Sequence, residues 1–187
     1  WWAMRLFVSV GLPPDLADDV ASVQERFADA SGIDPTDPGS VHITLKFLGE
    51  VSGARLGRVE DAVAAGVDRA DVEPFEATFG GLGVFPSLDY INVVWLGVRD
   101  GTDDLVALHE GIEAETTAIG FSPEDHAFTP HVTLGRMRHA GGKERVQEVV
   151  RESDPAAGSM QVDEVHLTES TLTDDGPEYE TVARFPL

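Results

Sequence analysis

The sequence predicts an α+β fold in which two pseudo-symmetric lobes form a single domain over residues 1–187. Two observations carry this prediction. Strand-like and helix-like apolar patterns alternate along the chain, and the same order of patterns occurs twice, in approximate repeats at 4–86 and 90–187. A repeat of this length is typical of two lobes of one unit, because solenoids are built from much shorter repeats.

One sequence offset relates the two halves. The difference 131 − 42 = 89 separates His42 from His131, and the segment from the first helix to the histidine strand aligns at this offset without a gap. Five further pairs share it: Asp15 and Asp104, Leu16 and Leu105, Val23 and Ile112, Thr44 and Thr133, Leu45 and Leu134. We therefore expect equivalent side chains of the two lobes to face each other across one cleft.

Apolar spacing predicts the elements of the first half. Residues 4–12 alternate between apolar and polar, which indicates a half-buried strand with Phe7 on its polar side. Two prolines then break the strand, and apolar residues recur at helical spacing until Gly32. The remaining predictions are a loop at 33–39, a strand at 41–48, a helix at 52–69 and an extended segment at 74–85 with a bend at its glycine pair.

The second half repeats this order and adds a terminal strand pair. It predicts a strand at 91–98, a helix at 103–120, a strand at 131–136, a helix at 143–151, and antiparallel strands at 160–172 and 178–187. The three residues before Met4 precede the first strand pattern, so we interpret 1–3 as an upstream extension or a cloning remnant outside the fold.

Composition excludes several classes of protein. Zero cysteines exclude disulfides, thiolate catalysis and cysteine metal sites, and no apolar run approaches the roughly 18 to 20 residues of a membrane span. The chain has no basic, apolar leader at its start, so we expect a cytoplasmic protein that does not contact the membrane. Nothing in the sequence implies a protein partner, and we expect a monomer.

The charge is unusual, because 34 acidic residues against 13 basic ones give a net charge of −21. Lys46 and Lys143 are the only lysines. This balance argues against a broad nucleic-acid-binding face. It favours adaptation to molar salt, where the Debye length of about 3 Å screens the repulsion between carboxylates. A cationic partner and simple acidity are the alternatives.

Two copies of the pattern His-x-Thr-Leu predict the chemistry. His42 and Thr44, like His131 and Thr133, stand two residues apart, so strand geometry puts each pair on one face of a sheet. Two imidazoles can donate and accept protons near neutral pH, and two hydroxyls can donate to phosphoryl oxygens. Arg136 ends the second strand and could donate to the same anion. Together these groups suit in-line displacement at phosphorus.

With these residues, the chain resembles the two-histidine (2H) phosphoesterases, and in particular the RNA 2′,3′-cyclic phosphodiesterase branch, also called 2′-5′ RNA ligase. The resemblance covers residues 4–187. It rests on the opening Arg-Leu-Phe-Val-Ser-Val-Gly-Leu-Pro, the segments 42–49, 83–86, 94–97 and 128–136, and the closing stretch from Glu169-Ser170 through Tyr179 to Phe185-Pro-Leu. It implies antiparallel sheets that line a central cleft, helices on the outside, and no metal or other cofactor.

The resemblance also implies an activity and a role for each residue. The activity is hydrolysis of a terminal 2′,3′-cyclic phosphate of RNA to a 2′-phosphate. His42 would be the general acid and His131 the base, although sequence symmetry alone does not distinguish them. The phosphate ligands would be Thr44, Thr133 and Arg136. Substrates would be RNA ends or small cyclic nucleotides.

Two further residues are candidate substrate contacts, each with a structural alternative. Phe7 would stack on the terminal base, or it is a core residue. Lys46 shares the parity of His42 and Thr44 and so would face the cleft, or it is a surface lysine on an edge strand.

Several interpretations compete with this one. A third His-x-Thr at His166 lacks the following leucine and a partner at the repeat offset, so we expect it on a strand surface. Zinc or manganese on His42 and His131 is the metal alternative, but no carboxylate or further histidine recurs at the spacing of metal ligands. Functionally, the alternatives are 2′-5′ RNA ligation or its reversal in the same cleft, and a module that binds RNA ends without turnover.

Overall fold

The computed structural model describes residues 2–187, and Trp1 lies outside the described residues. The strands are β1 (Ala3–Gly11), β2 (Ile33–Pro35), β3 (His42–Ser52), β4 (Phe75–Pro86), β5 (Ile91–Val98), β6 (His131–Met137), β7 (Ala156–Val162), β8 (Glu164–Thr173) and β9 (Gly176–Pro186). The helices are α1 (Asp15–Gln24), α2 (Leu56–Ala70), α3 (Thr102–Ala118) and α4 (Lys143–Glu152). The predicted α+β class is confirmed.

Most predicted boundaries shift by one to several residues, with β3 continuing to Ser52 and α2 beginning at Leu56, and three predictions differ more. The predicted loop at 33–39 contains β2, which pairs with β6. The predicted strand at 160–172 is two strands, β7 and β8, because Asp163 interrupts the pairing. The fold also begins before Met4: Ala3 belongs to β1, and the Trp2 carbonyl accepts a hydrogen bond from the Gly53 amide.

All strand pairs in the sheet are antiparallel, in the order β7-β4-β5-β6-β3-β1-β8-β9, with β2 beside β6. The two histidine strands lie side by side at its centre, and they pair through Ile43 and Val132. Since 132 − 43 = 89, these two residues are equivalent in the repeat, and a pseudo-twofold axis passes between them. Continuing the register by one residue on either side sets His42 opposite Thr133, and Thr44 opposite His131.

Each histidine strand contains a bulge at the same repeat position. Between β1 and β3 the pairing passes from Ser9–Thr44 to Val8–Lys46, so Leu45 is the extra residue. Between β5 and β6 it skips Leu134 in the same way, and 134 − 45 = 89. An extra residue reverses the alternation of side chains beyond it. Residues after each bulge therefore lie on the opposite face from the one that simple alternation predicts.

The helices cover one face of the sheet and the cleft lies on the other. The apolar side chains that point toward the helices form one continuous core, which includes Val8, Ile43, Leu96, Val132 and Leu167. Helices α2 and α3 approach closely at Gly66 and Gly111, where an added Cβ would collide with the backbone of the other helix. No helix within residues 2–187 combines the length and apolar character needed to cross a membrane.

Candidate active site

The two predicted histidines are held in the same way. The Nδ1 atom of His42 lies 3.1 Å from the Ser40 carbonyl oxygen, and that of His131 lies 2.7 Å from the Thr129 carbonyl oxygen. Because a carbonyl only accepts, each Nδ1 must carry the hydrogen, which leaves Nε2 as the exchangeable nitrogen. Since 129 − 40 = 89, the repeat supplies the same orienting contact twice.

Strand pairing also gives each imidazole similar surroundings. A glycine lies directly opposite each histidine, Gly11 opposite His42 and Gly97 opposite His131. A Cβ at Gly97 would crowd the Gly80 carbonyl oxygen and the Trp95 ring, whereas one at Gly11 would make only ordinary contact with His166.

Two aromatic rings contact each histidine. His42 stacks on Phe7, with 4.7 Å between ring centroids, and meets Tyr179 edge-on at 5.2 Å. His131 meets Phe85 edge-on at 5.0 Å and lies 6.0 Å from the ring of Trp95. Such contacts fix the ring planes and exclude water from their faces. The aromatic residues therefore hold both Nε2 atoms in restricted directions.

Burial lowers the pKa of both histidines below the ordinary value of 6.5. The Ser40 and Thr129 carbonyls oppose this effect. The charge of Arg136 lowers the pKa of His131 further, and the charge of His131 lowers the pKa of His42. The two imidazoles are thus close enough to interact electrostatically, and one of them lies beside a permanent cation.

The bulge at Leu134 places Arg136 on the same face of β6 as His131 and Thr133. Its charge also lowers the pKa of the Tyr179 hydroxyl, although burial, the larger effect, raises that pKa. Arg136 therefore lies near groups from both lobes. Within residues 2–187 it forms no salt bridge, and the hydroxyls of Thr44 and Thr133 are likewise unbonded to protein groups.

The prediction that Lys46 faces the cleft by parity is wrong, and so is its alternative as a surface lysine on an edge strand. The bulge at Leu45 turns Lys46 to the helix side, where it is 2% exposed on a central strand. Its Nζ donates to Glu113 Oε1 at 2.8 Å and to the Ser122 carbonyl at 2.6 Å. Glu113 Oε2 in turn accepts from the Glu124 amide at 3.3 Å. This ion pair anchors the loop that leads to His131.

The carbonyl of each bulge residue is bound by a helix of the other repeat. His109 of α3 donates from Nδ1 to the Leu45 carbonyl at 2.7 Å, and Gln24 of α1 donates from Nε2 to the Leu134 carbonyl at 2.9 Å. His109 is 7% exposed and stacks on Phe128 at 4.3 Å, and its contact with Leu45 spans 64 residues of sequence. The bulges are therefore held by specific cross-lobe hydrogen bonds.

Phe7 is only 4% exposed, and its ring is already stacked on His42. These values agree better with the alternative that Phe7 is a core residue than with an exposed ring on which the terminal base stacks. Phe47 is the more accessible ring. It stands at the repeat position of Arg136, since 136 − 47 = 89, and it is 66% exposed on the cleft face, 6.3 Å from Phe7.

Sequence reasoning missed part of the aromatic wall, by which we mean the four rings around the two histidines: Phe7, Tyr179, Phe85 and Trp95. Trp95 pairs with Thr133 on the cleft face, and no local pattern in its apolar strand distinguishes it from a core residue. Its ring lies over Gly83, where any Cβ would collide with it. The signal in the sequence was two glycines, Gly83, which pairs with Trp95, and Gly97, which lies two residues after it on β5. Tyr179 belongs to the closing stretch that carries the family resemblance, but local periodicity does not place it beside His42, because only the pairing of β8 with β1 brings β9 close.

A shallow cavity of about 120 Å³ opens beside His131. Its lining comes from both lobes and includes Thr44, Phe47, Phe85, Phe128 and His131. His166, from the third His-x-Thr, is engaged elsewhere, with its Nε2 2.7 Å from Glu164 Oε1. Among residues 2–187 no cluster of three or more histidine, aspartate or glutamate side chains has the arrangement of a metal site.

Comparison with known proteins agrees with this geometry. Residues 12–174 match the family model described as the 2′-5′ RNA ligase superfamily. A protein of Methanothermobacter thermautotrophicus named RNA 2′,3′-cyclic phosphodiesterase is 36% identical over 186 residues, which is 98% of this chain and 99% of that protein. One of the same name from Archaeoglobus fulgidus is 32% identical over 97% of this chain and 99% of that protein.

Solved structures show the same architecture. The crystal structure of TT0787 of Thermus thermophilus superimposes with a TM-score of 0.80 at 27% identity, and covers 98% of both chains. LigT of Escherichia coli complexed with 3′-AMP gives a TM-score of 0.79 at 23% identity over 100% of this chain and 99% of that one, a likeness of fold. From the family match and the near full-length relatives, the chain belongs to the 2′-5′ RNA ligase superfamily.

Proposed function

We propose that the protein is a metal-independent enzyme that hydrolyses the terminal 2′,3′-cyclic phosphate of RNA to a 2′-phosphate. The observation that carries the proposal is the pair of equivalently held histidines at the pseudo-twofold axis. Relatives that span almost the whole chain and are named RNA 2′,3′-cyclic phosphodiesterase support the choice of substrate.

In the proposed reaction, one Nε2 atom accepts a proton from water while the water oxygen bonds to phosphorus. The bond between phosphorus and O3′ breaks, and the other Nε2 atom gives its proton to O3′. The products are a 2′-phosphate and a free 3′-hydroxyl. Thr44, Thr133 and Arg136 donate to the non-bridging oxygens, where negative charge accumulates in the transition state.

Electrostatics supports His131 as the base and His42 as the acid. Arg136 is a permanent cation whose charge lowers the pKa of His131 and so favours the neutral ring that a base requires. His42 has only the titratable His131 among the charges that lower its pKa. Burial lowers the pKa of both rings, so the difference between them comes from these charges: with His131 neutral, no fixed cation opposes the proton on His42 that the leaving oxygen needs.

The test is an oligonucleotide with a terminal 2′,3′-cyclic phosphate, incubated with EDTA, with the 2′- and 3′-phosphate products resolved. We expect a 2′-phosphate and full activity in EDTA. His42→Ala and His131→Ala should each reduce the rate by about 10² to 10⁴ or more without unfolding the protein. His166→Ala, in the third His-x-Thr, is the matched control and should retain the rate. A 3′-phosphate product or an EDTA-sensitive rate would contradict the mechanism.

Ligation is the second candidate function, because the same acid and base can act when a 5′-hydroxyl replaces water. Incubating the cyclic phosphate end with a 5′-hydroxyl oligonucleotide, and measuring joined product against hydrolysis, separates the two reactions. The third hypothesis is a module that binds RNA ends without turnover. It predicts saturable binding of the cyclic phosphate end with neither a hydrolysed nor a joined product.

We also propose that the acidic surface adapts the protein to molar salt, supported by the net charge of −21 with only two lysines. The circular dichroism signal and the turnover rate should both decrease as KCl is lowered from molar to millimolar concentration. Constant values would refute the proposed adaptation to salt. The monomeric state and the cytoplasmic location stay predictions, the first of which size-exclusion chromatography with light scattering would check.

A further inference from the structure

Basic side chains are concentrated just beyond the active site. The ten residues 136–145 contain four of the 13 lysines and arginines and one carboxylate, so their net charge is 4 − 1 = +3 in a chain of −21. The segment starts at Arg136, next to His131, and runs along the end of β6 into α4. A polyanionic substrate would find a locally favourable potential there.

A second cavity lies in this basic segment. It measures about 190 Å³, which is larger than the cavity beside His131. It is formed by the turn between β4 and β5 and by the connection between β6 and α4. Its polar lining includes Tyr90, Asn92, Arg138, His139 and Lys143.

Strand register connects this cavity to the active site. Phe85, Val93 and Arg136 form one row across β4, β5 and β6, and Phe85 is the ring that contacts His131. The next row outward begins with the pair of Pro86 and Ile91, and Ile91 lines the cavity. Two residues of strand span about 7 Å, so the cavity begins about one nucleotide's length beyond the row of Phe85 and Arg136.

Two side chains in the cavity are available to an anion. Lys143 forms no salt bridge within residues 2–187, whereas Arg138 is paired with Asp34. His139 accepts a hydrogen bond from the Gly141 amide at Nδ1, so its Nε2 carries the hydrogen and can donate outward. Tyr90 is 68% exposed and offers a ring on which a base could stack. Asp89 is the one carboxylate in the lining.

The other borders of the active site are acidic. Glu124 lines the cavity beside His131, and Asp125 follows it. Glu178 and Glu180 flank Tyr179 on the side of His42. The carboxylates at these two borders repel an RNA strand, whereas the charge of Arg136 attracts one.

We infer that the RNA chain on the 5′ side of the reacting nucleotide lies in the cavity between Tyr90 and Lys143. Its next phosphate contacts Lys143 and His139, and the next base stacks on Tyr90. The inference rests on the proposed function, and it specifies an RNA end of at least two nucleotides as the preferred substrate over a cyclic mononucleotide.

The experiment compares kcat/KM for a nucleoside 2′,3′-cyclic phosphate with that for a dinucleotide carrying the same terminal group. We expect the wild-type protein to prefer the dinucleotide by about tenfold. Lys143→Gln should reduce the dinucleotide value by about fivefold and change the mononucleotide value by less than about twofold. Arg151→Gln makes the same charge change at an exposed position in the last turn of α4 and should alter neither value.

The outcomes separate this inference from the proposed function. If neither substrate is hydrolysed, the proposed function fails. If both are hydrolysed equally well, or if Lys143→Gln and Arg151→Gln have equal effects on the dinucleotide, the subsite is overturned while the function stands. An equal loss on both substrates with Lys143→Gln would also overturn it. Lys143→Glu should reduce kcat/KM for the dinucleotide further than Lys143→Gln does, and should leave the mononucleotide value unchanged. Circular dichroism would show whether this variant is folded.

Discussion

Replacing Lys46 by methionine tests the buried ion pair that anchors the loop before His131. Methionine keeps most of the alkyl chain, so the change removes the charge and leaves little cavity. The Lys46 side chain is 1% exposed and that of Glu113 19%, so the carboxylate would be left largely buried without its cation.

The expected cost follows from these contacts. Removing one partner of a buried pair costs about 3 to 5 kcal/mol, and the lower end applies because Glu113 keeps some contact with water and its hydrogen bond to the Glu124 amide. The Ser122 carbonyl also loses its donor, which adds about 1 kcal/mol. We therefore expect Lys46→Met to lower the free energy of unfolding by about 4 kcal/mol.

Urea unfolding at constant KCl measures this value, since urea does not change the ionic strength. In the double variant Lys46→Met/Glu113→Gln no buried charge remains, so most of the loss should be recovered. Lys143→Met, at the other lysine, is the matched control and should change stability by less than about 1 kcal/mol. A cost below about 1 kcal/mol for Lys46→Met, or a double variant as unstable as the sum of the single ones, would refute the reasoning.

Two predictions concern catalysis. Because the pKa of both His42 and His131 is lowered from 6.5, and one ring must be neutral while the other is protonated, the pH optimum of kcat/KM should lie below 6.5. The bound phosphate anion raises both pKa values, so the optimum of kcat should lie at higher pH; a kcat/KM that is constant up to pH 8 would contradict this assignment. Arg136→Lys keeps the charge but loses the forked donor, and should lower kcat/KM by about tenfold. Arg138→Lys, whose side chain is paired with Asp34, should leave the rate near wild type, and equal losses for the two variants would remove the special role of Arg136.

The sequence was sufficient to predict the histidine strands and their equivalence. The offset of 89 relates His42 to His131, and it also relates the carbonyls that orient them, at Ser40 and Thr129. Strand 91–98 was predicted with the bounds of β5. These features depend on local periodicity and on a repeat, both of which can be read along the chain.

Side-chain direction beyond each bulge could not be predicted. Alternation put Lys46 in the cleft, but the extra residue at Leu45 turns it to the helices and turns Phe47 outward. The hydrogen bonds that hold the bulges come from helices far away in sequence, His109 for one and Gln24 for the other. The aromatic wall depends on strand order for the same reason, because Tyr179 is brought close only by the pairing of β8 with β1.

The crossed hydrogen bonds from α1 and α3 make neither repeat self-sufficient. Gln24 of the first repeat supports the strand of His131, and His109 of the second supports the strand of His42. A fragment that ends after β4 would carry one complete His-x-Thr and still lack the helix that shapes its bulge. Cutting the chain between the lobes should therefore abolish both half-sites together, and an ancestor with a single repeat would have needed a second copy of itself to form either one.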